Sequence, residues 1–244
     1  MVSSKPMQRS KRQIIAIGGG GLSNAREDSD LISYLLHQTS ASTPKVCFIP
    51  TASGDPLGYI ESFYGVFSQR DCQPCHLPLF ARTPDLRSLI LNQDLIYVGG
   101  GNTKSMLAVW KEWGLDAVLR EAWQAGIVLS GVSAGAICWF QQGITDSFAD
   151  ELRVLDCLGF LEGSCCPHYN GEPERRPTFH RLLAESRIVN GFALEDYSAI
   201  HFTDEDSYRA VAFRPGARVY SMHRSNAVVQ EQPLDIQVIS GTPE

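Results

Sequence analysis

Residues 127–140 read Ile127-Val128-Leu129-Ser130-Gly131-Val132-Ser133-Ala134-Gly135-Ala136-Ile137-Cys138-Trp139-Phe140, and the order of residue types in them decides the fold. Residues 127–130 form a short apolar, β-branched run, as a buried strand requires. Residues 136–140 continue as an apolar run that reads as helical. Between them Gly131-Val132-Ser133-Ala134-Gly135 has the G-x-S-x-G pattern. In a strand–turn–helix setting this pattern makes a sharp turn that lifts the serine hydroxyl above the sheet. Glycines flank the serine because side chains there would clash in the tight turn. The helix that follows aims free N–H groups and its positive end at developing negative charge.

The same alternation extends toward the N-terminus. Residues 12–17 (RQIIAI), 45–49 (KVCFI), 73–79 and 95–98 read as strands, and residues 28–37, 59–69, 103–110 and 115–125 as helices. Strands alternating with helices imply a mostly parallel central sheet covered on both faces, a three-layer α/β/α arrangement. Two further strands run out into glycines, Gly18 to Gly21 and Gly99 to Gly101. Ligands bind outside the carboxyl ends of such strands, so these exits and the serine turn point at one crevice. In the last third, residues 199–202, 208–213 and 218–221 read as strands that would extend the sheet edge in antiparallel fashion, with a Pro215-Gly216 turn between the last two. No linker or repeat interrupts residues 12–244, which are expected to form one domain after a disordered arm over residues 1–11.

A nucleophilic serine needs a base, and histidine titrates in the right range. Of six histidines, His37, His76 and His223 fall away from a sheet mouth, His180 lies on a helical stretch and His201 alternates along a strand. His168 sits in the irregular segment Pro167-His168-Tyr169-Asn170-Gly171, and loops held by a scaffold tend to carry function. The group that orients the imidazole is open among Asp146, Glu195 and Asp196, because such a triad is defined in space and not by spacing.

The hexapeptide Gly131–Ala136, together with Ile17-Gly18-Gly19-Gly20, Phe48-Ile49-Pro50-Thr51-Ala52, Gly99-Gly100-Gly101-Asn102-Thr103 and Pro167-His168-Tyr169, resembles the peptidase E (aspartyl dipeptidase) family and the related cyanophycinases over about residues 12–225. The resemblance implies a flavodoxin-like fold related to class I glutamine amidotransferases, with serine in place of their cysteine. It makes Ser133 the nucleophile, His168 the base and Asp196 the acid, with Glu195 one residue away. It places an oxyanion hole at the amides of Ala134 and of Gly100 or Gly101. Asp146 matches a family aspartate downstream of the serine. The family hydrolyses dipeptides with N-terminal aspartate and uses no metal, so no cofactor is expected. The segment 170–177 (NGEPERRP) is shorter than in the aspartyl dipeptidases. Arg175 or Arg176 stands where the family holds the substrate carboxylate, which a guanidinium fork matches.

The alternatives are a cyanophycinase-like exopeptidase on β-aspartyl peptides and, from another class, a non-catalytic small-molecule-binding protein on the same fold. The presence of a serine, a histidine and an acid weighs against the latter. Other signals weigh against further classes. A net charge of −6 lacks the basic footprint of a nucleic-acid partner. No apolar run is long enough for a membrane span, and seven scattered cysteines suit a reducing compartment, so a cytoplasmic location is expected. Gly18–Gly21 followed by Leu22-Ser23 lacks the last glycine of a dinucleotide fingerprint, and neither glycine loop continues as G-K-S/T. Cys72-Gln73-Pro74-Cys75 has no second cysteine pair for zinc. The expected partner is a small peptide substrate, and a homodimer is the expected assembly if the chain self-associates.

Overall fold

A computed structural model describes residues 11–22, 28–204, 207–226 and 228–240. The expected arm lies outside these residues apart from Lys11. The first half alternates as the sequence pattern requires: β1 (Gln13–Ile17), α1 (Ser29–Leu36), β2 (Lys45–Ile49), α2 (Leu57–Phe67), β3 (Gln73–His76), α3 (Leu86–Ile90), β4 (Leu95–Val98), α4 (Thr103–Trp113), α5 (Leu115–Gln124) and β5 (Val128–Val132). After a single turn, α6 (Ala134–Ile137), the chain becomes strand-rich: β6 (Phe140–Thr145), β7 (Arg153–Asp156) and β8 (Leu161–Cys166). Then come α7 (Arg175–Ala184), β9 (Gly191–Leu194), β10 (Ser198–Thr203), β11 (Ser207–Ala212), β12 (Val219–Ser225), β13 (Val228–Pro233) and β14 (Ile236–Val238).

Strands β1, β5, β4, β2 and β3 lie side by side in that order, all parallel. Beyond β1 the sheet continues through β10 and β11, each antiparallel to its predecessor, and ends at β14. Alternate residues of the buried strands feed two cores. Ile15, Ile17, Val46 and Phe48 pack with Leu35 of α1 and Phe63 of α2. Ile14, Ala16, Ile96 and Val98 pack with Trp110 of α4 and Leu119 of α5. This is the mostly parallel α/β fold that the sequence predicts.

A second sheet, in the order β13-β12-β9-β8-β6-β7, is absent from the sequence reading. One of its faces joins the core of α4 and α5 through Trp139, Phe140, Leu161 and Cys165. Its other face is closed by α7, with Ile144, Cys166, Phe179 and Met222 in contact. Two expectations are corrected here. The apolar run 136–140 is not a continuing helix, because α6 stops at Ile137 and Phe140 pairs with Leu161 in the new sheet. Residues 218–221 do not extend the central sheet, because β12 pairs with β9 and β13. A short apolar run suits a buried helix and a buried strand equally, and pairing partners far along the chain decide between them.

His201 illustrates what burial does to a titratable group in this core. It is fully buried on β10. Its Nδ1 lies 2.7 Å from the Tyr34 hydroxyl and 3.0 Å from an Arg209 nitrogen. A guanidinium only donates, so Nδ1 accepts and Nε2 carries the proton, directed at Gln13 Oε1 at 3.0 Å. Burial first, and the Arg209 charge second, push its pKa down from 6.5 to about 3. The folded chain therefore refuses a proton that the unfolded chain accepts, so this stability is full above pH 6.5 and lost as pH falls toward 3. His201→Gln should lower the melting temperature at pH 7, yet its stability should fall less steeply between pH 6 and 4, by up to about 1.4 kcal/mol per pH unit. An unchanged acid slope would show that another group carries it.

Candidate active site

The chain leaves β5 and turns at Ser133 with φ 57° and ψ −111°, a left-handed φ that non-glycine residues adopt only where surroundings impose it. Space explains the flanking glycines. A methyl on Gly131 would overlap the Gly135 carbonyl, and one on Gly135 would overlap that of Val98. The Ser133 carbonyl accepts the N–H groups of Ala136 and Ile137 at 2.9 and 3.0 Å, which starts α6. Because α6 is a single turn, its macrodipole is small. Its contribution is the Ala134 N–H, which has no acceptor within the helix.

The structure brings together Ser133, His168 and Asp196. His168 Nε2 lies 2.9 Å from Ser133 Oγ, and its Nδ1 lies 2.7 Å from Asp196 Oδ1. Three consecutive carbonyls at the end of β1 seat the array. Ile17 accepts the Ser133 N–H at 3.1 Å, Gly18 the His168 N–H at 3.1 Å, and Gly19 the N–H of Tyr197, next to Asp196, at 2.9 Å. Asn170 Oδ1 accepts the Asp196 N–H at 3.0 Å and so joins the two loops. Side-chain exposures of 23% for His168 and 29% for Asp196 leave the pair reachable yet sheltered. Glu195 points elsewhere, accepting the Arg218 N–H and the Tyr220 hydroxyl at 2.9 and 3.2 Å. His37 binds the Ser33 carbonyl, His76 lies against Tyr64, and His180 lies against Glu231, all away from Ser133.

The two arginines are not placed as expected. Arg175 opens α7 instead of sitting in a loop and is 1% exposed. Its Nε donates to Glu172 at 2.7 Å and its Nη1 to the Ile144 carbonyl at 2.8 Å, with Asp146 3.8 Å from Nη2. A buried guanidinium must be paired in this way, so Arg175 braces the loop after His168. Arg176 is ion-paired with Glu231 and lies over the Tyr169 ring. Asp146 is largely exposed and lines an open cavity of about 530 Å³ with Phe148, Asp150, Glu151, Glu172 and Glu174. Ser133, His168 and Asp196 are not among the residues that line this cavity, which adjoins them only through neighbouring backbone. Asn102 Nδ2 donates to the Ser147 carbonyl at 3.3 Å, and the Glu172 N–H donates to that of His168 at 3.0 Å.

Gly100 is near Ser133, whereas Gly101 lies against the backbone of Ala52 and Ser53. A methyl on Gly100 would lie 3.3 Å from Ser133 Cβ. The Gly100 N–H, however, donates to the Tyr59 hydroxyl at 3.3 Å. Tyr59, Asn170 and the Gly18 and Gly19 carbonyls hold the site through contacts that the sequence pattern does not single out. Only the motif containing Asn170 and the glycine run after β1 hinted at them. Among the described residues no group of three or more His, Cys, Asp or Glu side chains is placed to hold a metal ion, and no helix is long and apolar enough to cross a membrane.

Fold and site define an α/β protein with a hydroxyl–imidazole–carboxylate chain at the carboxyl ends of its parallel strands. The chain belongs to peptidase family S51, whose profile matches residues 14–209, and it is a peptidase of that family. It is 47% identical over 229 residues to the uncharacterized peptidase YgaJ of Bacillus subtilis (strain 168), covering 93% of this chain and 99% of that one. Peptidase Lin0382 of Listeria innocua is 28% identical over 170 residues, 66% of this chain and 81% of its own. Two crystal structures share the fold. One is a peptidase from an acI-B1 Actinobacterium (TM-score 0.69, 19% identity, 93% of this chain and 96% of that chain). The other is a candidate peptidase E protein from Listeria monocytogenes (TM-score 0.60, 22% identity, 82% and 98%). The resemblance to the peptidase E family is thereby borne out.

A methyl on Gly19 would overlap Asp196 Oδ1 and lie 2.6 Å from His168 Nδ1. Gly19→Ala should therefore cut peptidase kcat by about 10² or more, because small misplacements of reacting groups are costly. Full activity in that variant, with an unchanged melting temperature, would show that the pair yields without consequence.

Proposed function

We propose that the protein is a serine-type exopeptidase that hydrolyses small peptides through an acyl-enzyme on Ser133. The observation that carries this reading is the continuous hydrogen-bonded chain from Ser133 Oγ through His168 to Asp196. His168 Nε2 takes the hydroxyl proton as Oγ bonds to the peptide carbonyl carbon. Asp196 accepts from Nδ1, which fixes the tautomer and stabilises the imidazolium. The oxyanion is received by the Ala134 N–H and an amide of the Gly100–Gly101 loop. The imidazolium then returns its proton to the leaving nitrogen as the C–N bond breaks. Water, deprotonated by the same imidazole, releases the acyl group and restores the serine.

Ser133→Ala should lower kcat by about 10⁴ to 10⁶ while leaving the melting temperature unchanged. A fluorophosphonate should label Ser133 in the native protein and nothing in the variant. A variant that keeps most of its activity would sink the serine mechanism.

The family resemblance favours dipeptides with N-terminal aspartate as substrates. Arg175 and Arg176 already engage carboxylates of the chain, so neither is poised to grip one from a substrate. The acidic cavity instead favours a second reading, a cyanophycinase-like exopeptidase acting on β-aspartyl peptides such as β-Asp-Arg, whose guanidinium suits a carboxylate-lined wall. Measuring kcat/KM for Asp-Leu, Ala-Leu and β-Asp-Arg separates the two. A preference of about 10² for Asp-Leu over Ala-Leu supports the aspartyl reading, and a similar preference for β-Asp-Arg over both supports the second. Equal rates on all three would overturn both specificities and leave the mechanism standing.

A further inference from the structure

We propose that Tyr59 is a positioning residue of the site, its hydroxyl oxygen fixing the Gly100 amide so that the next amide, that of Gly101, faces the oxygen of the tetrahedral intermediate. The inference rests on the serine-peptidase reading above and adds a residue from α2, an element that otherwise only covers the sheet.

Tyr59 stands in the first turn of α2, with its ring edge-on to Phe48 at 5.0 Å. A methyl on Gly99 would lie 2.8 Å from Tyr59 Cε1, so the ring lies directly against the loop that follows β4. The same loop touches the nucleophile, since a methyl on Gly100 would lie 3.3 Å from Ser133 Cβ and 3.8 Å from Oγ. Two hydrogen bonds pin the loop on either side of Gly101. Upstream, the Gly100 N–H donates to the Tyr59 hydroxyl at 3.3 Å; downstream, the Asn102 N–H donates to the Ala52 carbonyl at 2.7 Å. Asn102 also caps α4 by accepting the Ser105 N–H at 2.8 Å, so the downstream side is held several times over. The upstream amide rests on the phenol. Gly101 itself has φ 135°, open to glycine, and a methyl there would overlap the Ala52 carbonyl. With no side chain to limit it, the orientation of this amide depends on its two pins. Burial raises the phenol's pKa, so the oxygen stays protonated and neutral at working pH. If Tyr59 only filled the space beside Phe48, phenylalanine would serve as well.

Tyr59→Phe tests this, because it keeps the ring and removes only the acceptor. Three quantities are compared with wild type: the second-order rate of Ser133 labelling by a fluorophosphonate, kcat and KM on whichever of the three dipeptides is cleaved fastest, and the melting temperature. The phosphonyl oxygen enters the same hole as the oxyanion, so the labelling rate reads the hole without knowledge of the substrate. Labelling and kcat should both fall about 10-fold, the size of one hydrogen bond, while KM stays within about twofold. The melting temperature should change by no more than about 2 °C. Unchanged labelling and kcat would overturn the proposal. So would a loss that appears in KM or melting temperature and not in kcat, since that marks a packing role. A wild-type protein that is neither labelled nor active would refute the serine reading itself, and the role of Tyr59 would fall with it.

Discussion

Everything at the site depends on how the end of β1 uses its backbone. The carbonyls of Ile17, Gly18 and Gly19 point in turn to the serine turn, the histidine loop and the segment carrying Asp196. This works because β1 is an interior strand with a parallel neighbour, β5, on one side and an antiparallel one, β10, on the other. Ile17 is opposite Val132 on one flank and Ala199 on the other, so the chain leaves β5 and enters β10 at the same height. The central sheet thus delivers Ser133 and Asp196 to opposite sides of one strand end. The imidazole, arriving from β8 of the second sheet, bridges them.

The three seats share a backbone property. Ser133, His168 and Tyr197, which follows Asp196, have φ of 57°, 52° and 62°. Each lies in the left-handed region, where a side chain costs on the order of 1 kcal/mol or more. Each is also one of the residues whose N–H is received by the end of β1. Hydrogen bonds to the last residue of β1 and to the two glycines after it offset the unfavourable backbone, and the turns bring the side chains of Ser133, His168 and Asp196 together across the crevice. Preorganisation at this site is therefore a property of main chain as much as of side chains.

The sequence made the central sheet readable because its strands are buried on both faces and appear as unbroken apolar runs such as residues 45–49. The serine turn was readable because only glycine fits at Gly131 and Gly135. The histidine was readable as the one candidate in a loop at the right place. The second sheet was not. Its strands, such as β6 (FQQGIT) and β7 (RVLD), are short and interrupted by polar residues, and β6 shifts register against β8 between Phe140 and Gln142. Their identity as strands comes from pairing, β7 with β6 across the intervening loop and β6 also with β8 more than twenty residues on, a tertiary effect that local pattern does not carry. The arginines failed for a related reason. A charged pair in NGEPERRP looks like a solvated loop, whereas Arg175 is buried and braces that loop through Glu172. Local pattern leaves Asp146, Glu195 and Asp196 open as partner of His168, because only the folded chain brings Asp196 to its Nδ1 and turns Glu195 to Arg218 and Tyr220.

The carboxylate of Glu231, on β13, receives the Tyr169 hydroxyl at 2.7 Å, lies 2.7 Å from His180 Nε2 and is ion-paired with Arg176. Burial pushes its pKa up, but these three partners more than offset that, and its net shift is downward. Tyr169 is the immediate neighbour of His168. The family model matches residues 14–209, so a fragment trimmed to those residues would keep Ser133, His168 and Asp196 and lose the carboxylate that holds the neighbour of the imidazole. The residue beside the imidazole is thus held by a strand pair, β12 and β13, that lies wholly after the matched residues.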